Sequence, residues 1–226
     1  MSISFLVYFA LLLIIPLWAS SRVKKSYNKY SQVRNSADMT GAEVARKILD
    51  NNGLFDVRIE EVKGQLSDHY DPRAKTVRLS SENYHRPSVA GAAVAAHEVG
   101  HAIQDAESYS FLNFRSALAP VASLGSNASF FFLIAGLIFS ISNLVFVGII
   151  FMAAAVLFQL VTLPVEFNAS NRAMEQMVSS GIIRNNEESE TKKVLNAAAM
   201  TYVAGALVAL LELVRFVLMF MNMNDD

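Results

Sequence analysis

The sequence predicts a mainly α-helical integral membrane protein, with about four transmembrane helices and one small α+β module on the cytoplasmic side. Three observations predict it. Hydrophobic residues make up 53% of the 226 and charged residues only 17%, against about 25% charged in a soluble domain. The apolar residues are gathered into long uncharged runs, one of them long enough for two spans. Between the runs lies a polar block of mixed charge whose patterning suits both helices and short strands. The net charge of −1 offers no basis for a nucleic-acid partner. With no cysteine, disulfides and thiolate metal sites are excluded. A metal would have to be held by His, Asp or Glu, and the only histidines are His69, His85, His97 and His101.

Residues 3–20 are almost wholly apolar and predict the first span. No basic residue precedes them, and Leu17-Trp18-Ala19 lacks the small-residue pattern of a cleavage site, so an uncleaved anchor is expected. Arg22, Lys24, Lys25 and Lys29 follow it and hold the following segment in the cytoplasm.

Residues 22–116 form the polar block. Thr40-Gly41-Ala42-Glu43 has the form of a capping box, with a helix to about Asn51 and a stop at Asn52-Gly53. Val57 to Val62 and Lys75 to Ser80 alternate like strands. His69-Tyr70-Asp71-Pro72-Arg73 between them predicts a turn, so a hairpin of those two strands with an extended connection is expected. After Arg86-Pro87, Ser88 is placed to cap a helix from Val89 to about Asp105.

Residues 118–163 carry no charge and exceed one span. Ser140-Ile141-Ser142-Asn143 divides them into a hairpin of spans, roughly 121–140 and 144–163. Pro164 ends the second. Residues 164–199 then predict a cytoplasmic helical segment whose helix starts at Glu166 and stops at Gly181. Residues 200–222 make the fourth span, in which Glu212 and Arg215 are spaced to pair on one face. Every Lys and Arg except Arg215 falls in 22–116 or 166–199. That asymmetry puts both polar segments inside and both termini outside. Asn127-Ala128-Ser129 and Asn168-Ala169-Ser170 match the glycosylation pattern, but one falls in a span and the other on the cytoplasmic side.

The chemistry concentrates in His97-Glu98-Val99-Gly100-His101, an HExxH sequence that takes two of the four histidines. Four residues apart on a helix, both imidazoles lie on one face and can reach one metal ion. Glu98 lies beside them without being a ligand and is placed to act as general base. Gly100 suits the close approach of another element. A catalytic zinc takes three protein ligands and keeps one position open, and no third His follows His101. Asp105 is one turn on and serves better as a partner of a ligand His. Glu107 lacks a positioning argument. Glu166 is the better third ligand, since it lies just past Pro164 at the cytoplasmic end of a span. Among candidates for stabilising an oxyanion, Arg172 comes first because it shares the Glu166 helix; His69, Tyr70, Tyr84 and His85 are others. Lys75 to Ser80 is the strand nominated to bind an extended peptide.

The segment Ser88 to Gln104, the stretch Leu163-Pro164-Val165-Glu166-Phe167-Asn168-Ala169-Ser170, the turn His69 to Arg73 and the strand Val77-Arg78-Leu79-Ser80 resemble the YugP-type neutral zinc metallopeptidases of bacterial membranes. The likeness covers nearly the whole chain. More remotely it is similar to the HtpX and CAAX prenyl protease group, in which a Glu on a later helix completes the zinc site, a place matched here by Glu166. Those relatives carry an acidic residue four positions after that Glu, where this chain has Ser170. The resemblance implies a zincin-like module with an HExxH helix and a Zn2+ cofactor. The expectation is a membrane zinc endopeptidase acting on membrane-associated polypeptides at the cytoplasmic face of the bilayer. The rival is a membrane scaffold or assembly factor with a structural metal site. Substrate identity and oligomeric state are outside what the sequence specifies.

Overall fold

The computed structural model describes residues 3–224; Met1, Ser2, Asp225 and Asp226 lie outside the described residues. The chain is mostly helical: α1 (Ile3–Tyr30), α2 (Gly41–Asn51), β1 (Arg58–Val62), β2 (His69–Asp71), β3 (Thr76–Ser80), α3 (Ser81–His85), α4 (Val89–Ala106), α5 (Ser110–Ile138), α6 (Ser142–Ser179) and α7 (Asn185–Asn224). Helices α1, α5, α6 and α7 are each long and apolar enough to cross a bilayer. They expose large apolar side chains such as Leu13, Phe131, Ile138 and Leu218, which suits lipid rather than water.

Two compact units share these helices. One comprises residues 1–16, 110–164 and 202–226, the other 17–109 and 165–201. Two of the divisions fall directly after prolines that lie inside helices, Pro16 in α1 and Pro164 in α6. A helical proline has no N–H for the carbonyl one turn back.

In the apolar unit, α5 turns into α6 through residues 139–141, with Ser140 at a φ of 54°. Small residues set how closely the two helices pack. A Cβ on Gly136 would lie 2.7 Å from the backbone nitrogen of Val145, and one on Gly148 would lie 2.7 Å from the Leu133 side chain. Leu133, Val145 and Ile149 form a small core with Leu213, Phe216 and Phe220. Arg215, which the sequence spaces to pair with Glu212, also stands against aromatic rings. The Arg215 guanidinium stands 4.9 Å from the Tyr8 ring centre and 5.4 Å from that of Phe9, a favourable use of a cation in a low-dielectric setting. Glu212 lines a cavity of about 440 Å³ with Ser126, Gln159 and Phe216.

In the second unit the sequence signals for caps hold in detail. Thr40 and Glu43 complete the capping box of α2, and α2 ends at Asn52 with Gly53 at a φ of 72°. The Ser88 hydroxyl accepts the Gly91 N–H at 3.0 Å to start α4. Helix α4 is buried along most of its length, packed in a core with Val44, Ile48, Val77, Leu79, Met177 and Ile182. Its alanines let the surrounding elements come close.

The sheet departs from expectation. Its order is β1-β3-β2, with β1 parallel to β3 and β2 antiparallel to it. The hairpin therefore joins β2 to β3: of the stretch expected as a turn, His69 to Arg73, the first three residues are a strand, and Pro72 and Arg73 begin the turn itself. Local alternation marked β1 and β3 but carried no information about pairing. A consequence follows for substrate binding: β3 is the central strand with both edges paired, so the strand nominated for an extended peptide has no free edge. The open edges belong to β1 and β2. Helix α6 also differs, running unbroken through Pro164. Glu166 thus sits mid-helix rather than in the first turn of a new one.

Candidate metal centre

Residues 97–104 of α4 and the C-terminal half of α6 build the site. Gly100 decides how closely they approach: a Cβ there would fall 2.6 Å from the carbonyl oxygen of Ala169, so any larger residue would force the two backbones apart. At this crossing the Nε2 of His97 lies 3.3 Å and that of His101 3.6 Å from the Oε2 of Glu166. The two imidazoles stand nearly perpendicular, with centroids 4.8 Å apart. One donor atom from each of the three residues falls within 4.8 Å of the others. Ligands about 2.0–2.1 Å from one tetrahedral zinc ion stand roughly 3.4 Å from each other. The separations to the Glu166 oxygen match that value, and the neutral-nitrogen and carboxylate donor set suits zinc. These three residues could hold a metal ion.

The far side of each ring is also fixed. His97 Nδ1 meets the Ser170 hydroxyl at 3.2 Å, and His101 Nδ1 meets the Gln104 side-chain oxygen at 3.0 Å. Such partners hold the ring so that Nε2 faces the centre. Gln104 is fully buried and its amide nitrogen donates to the Val165 carbonyl at 2.8 Å and to Asn168 Oδ1 at 2.9 Å. Asn168 in turn accepts from Arg172 Nε at 2.8 Å, and Arg172 Nη2 reaches Glu107 at 2.6 Å. The chain of bonds runs from the His101 ring to the surface. Burial, the largest influence on His101, disfavours its cation. The hydrogen bond His101 donates to Glu166 and the charges of Glu98 and Glu166 outweigh burial and raise the imidazole pKa.

Glu166 is 2% exposed and Glu98 9%. Among the described residues Glu98 makes no hydrogen bond or ion pair, although it is a largely buried carboxylate next to His97. Burial of a charge without a partner is costly, so its position is one that structure alone does not reward.

Of the residues singled out from sequence, His97, His101 and Glu166 come together, with Glu98 beside them on α4. Asp105 does not partner either imidazole. Its Oδ2 accepts from the Tyr70 hydroxyl and the Lys75 ammonium, both at 2.7 Å, because the last turn of α4 points that side chain at the sheet. Burial, then the Asp105 bond, pushes the Tyr70 hydroxyl above its usual range, so it stays a donor. Arg172 is directed to Asn168 and Glu107 rather than to the three donor atoms, and its guanidinium holds the Glu107 carboxyl below the usual range. His69 and His85 meet the Ser67 carbonyl and Glu61. Sequence reasoning gave no role to Gln104, Asn168 or Ser170. A signal existed for two of them: Gln104 is three residues after His101 and Ser170 four after Glu166, each a polar residue on the face already carrying a donor.

Comparison with known proteins identifies the family to which this chain is similar. A family model described as "Putative neutral zinc metallopeptidase" matches residues 5–221. The chain is 52% identical over 209 residues to a protein of Bacillus subtilis (strain 168) named "Putative membrane protease YugP", covering 92% of this chain and 93% of that one. No solved structure matches.

Proposed function

We propose, because the chain belongs to the neutral zinc metallopeptidase family, that it is a membrane-embedded zinc endopeptidase of zincin-like design with His97, His101 and Glu166 as the metal ligands. The observation that carries this is the pairing of a buried three-donor cluster with a neighbouring carboxylate, Glu98, that makes no hydrogen bond or ion pair among the described residues. A structural metal site closes on four protein ligands and has no use for such a carboxylate. A hydrolase needs one.

Zinc held there would supply a Lewis acid for the scissile carbonyl and lower the pKa of water. The protein's own groups do the rest. Glu98 takes the proton from the attacking water and passes it to the leaving amine. Ser170 and Gln104 keep the two Nε2 atoms aimed inward. Arg172 enters as a positioning residue, holding Asn168 against Gln104, rather than as a stabiliser of the oxyanion. The distribution of Lys and Arg along the chain supports a site on the cytoplasmic side, and so supports membrane proteins or proteins at that surface as substrates.

Zinc content and cleavage test this together. Detergent-purified wild type is expected to hold about one zinc per chain, with His97→Ala and Glu166→Ala folded but zinc-free. Glu98→Gln is expected to keep zinc and lose cleavage of a membrane-protein substrate. Wild-type cleavage by Glu98→Gln would remove the proposed base, and zinc retained with wild-type affinity by Glu166→Ala would remove the third ligand. If wild type bound no metal, the scaffold reading would stand instead.

A further inference from the structure

A second site lies in the polar unit, between the basic end of α1 and residues 193–200 of α7. A cavity of about 270 Å³ is lined by Arg22, Lys25, Lys29 and Lys193, with Ser26 and Asn196 beside them. Among the described residues no acidic side chain lines it. Among the described residues none of these four cations has a carboxylate partner. Elsewhere in the same unit, Arg34, Arg46, Arg58, Lys75, Arg78, Arg86 and Arg172 are all ion-paired. Four like charges around one hollow repel each other, so the protein alone gains nothing by the arrangement. A second observation points the same way: the Ser26 hydroxyl is buried and has no hydrogen-bond partner, a cost that a ligand acceptor would remove.

The position along the chain identifies the occupant. The apolar run of α1 ends at Ala19, three residues before Arg22, and that of α7 begins at Thr201, next to the lining residue Met200. The Arg22 guanidinium stands 5.4 Å from the ring centre of Trp18, and Trp is the residue that sits at headgroup level. At about 1.5 Å per residue, Arg22 and Lys25 therefore stand about 5 and 9 Å past the apolar run of α1, at the level of a bilayer's phosphates, while Lys29 and Lys193 line the cavity about 15 and 12 Å from the apolar runs of their helices.

We propose that this cavity binds the phosphate of an anionic membrane phospholipid, with Arg22, Lys25, Lys29 and Lys193 neutralising the charge and the Ser26 hydroxyl donating to a phosphate oxygen. The site is separate from the residues of the metal centre and does not depend on peptidase activity.

The test reads the thermal unfolding midpoint of the detergent-purified full chain. Dioleoylphosphatidylglycerol is expected to raise it by roughly 5 °C, while dioleoylphosphatidylcholine and inorganic phosphate at equal concentration leave it unchanged. Lys25→Gln with Lys193→Gln should lose most of that shift. Lys24→Gln with Lys192→Gln removes the same charge from the same helices outside the cavity and should keep it. Ser26→Ala, which alters no charge, should reduce it. If the double variant does not fold, Lys193→Gln alone is read, with native mass spectrometry counting retained phosphatidylglycerol; retention equal to wild type counts against the site. Equal loss in both lysine pairs would replace the site by diffuse surface charge. A shift produced by phosphate would assign a soluble anion, and a shift produced only by polyglutamate would assign an acidic protein segment. Either result, or no shift with phosphatidylglycerol, overturns the proposal.

Discussion

The polar unit holds two ligand-sized clusters built in opposite ways. Around His97, His101 and Glu166 most polar atoms have an assigned protein partner: the two Nδ1 atoms are held by Ser170 and Gln104, and Gln104 is itself held by Val165 and Asn168. Around Arg22, Lys25, Lys29 and Lys193, among the described residues, the cations have no carboxylate partner and the Ser26 hydroxyl has no hydrogen-bond partner. The difference reflects what each would bind. A metal ion tolerates errors of only about 0.2 Å in donor distance, so its ligands must be held by a rigid surround. A lipid headgroup is large and mobile, and is attracted by summed charge that long flexible side chains supply at the surface. One cluster is buried and geometric, the other exposed and electrostatic.

The largest effect that would sharpen the contrast is Glu98→Gln. Loss of a general base costs about 10²–10⁴-fold, so cleavage should fall by about 10³ in a steady-state assay while zinc content stays at wild type. A variant that lost zinc as well would show that Glu98 belongs to the ligand set. Next, Ser170→Ala should weaken zinc binding or activity by about 10–100-fold, measured by competition with a chelator. An unchanged affinity would mean that the packing of α4 on α6 orients His97 without the hydroxyl. Gly100→Ala comes third. The added methyl would meet the Ala169 carbonyl at 2.6 Å, and overpacking of this kind costs about 1–3 kcal/mol, to be read as a lower unfolding midpoint together with weakened zinc binding. Smallest is the response to salt. Raising sodium chloride to about 0.5 M shortens the screening length to a few ångströms. It should leave zinc content unchanged and weaken stabilisation by phosphatidylglycerol. Equal sensitivity of both would break the distinction between the two clusters.

The helix that carries the donors was legible from the sequence alone. Ser88 as a cap, the helix that follows and the four-residue spacing of His97 and His101 are all local features, and the same is true of the capping box at Thr40. Glu166 was reached from its place after Pro164 and by resemblance. Its distance of 69 residues from His97 exceeds what any helical period can express. Asp105 shows the limit of such reasoning. Its spacing from His101 put it near the site, but the sheet claimed it, through Tyr70 and Lys75.

By itself, then, the sequence determined the apolar runs, the helix caps and which residue types could take part in metal chemistry, because these depend on neighbours within a turn or two. Tertiary structure alone decided the order β1-β3-β2, the unbroken course of α6 through Pro164, the turn of Arg172 toward Glu107 and the use of Ser170 and Gln104 behind the imidazoles. Those outcomes depend on which faces meet across long stretches of chain. Meeting is governed by packing, such as the contact that Gly100 permits with Ala169, and short-range periodicity has no term for it.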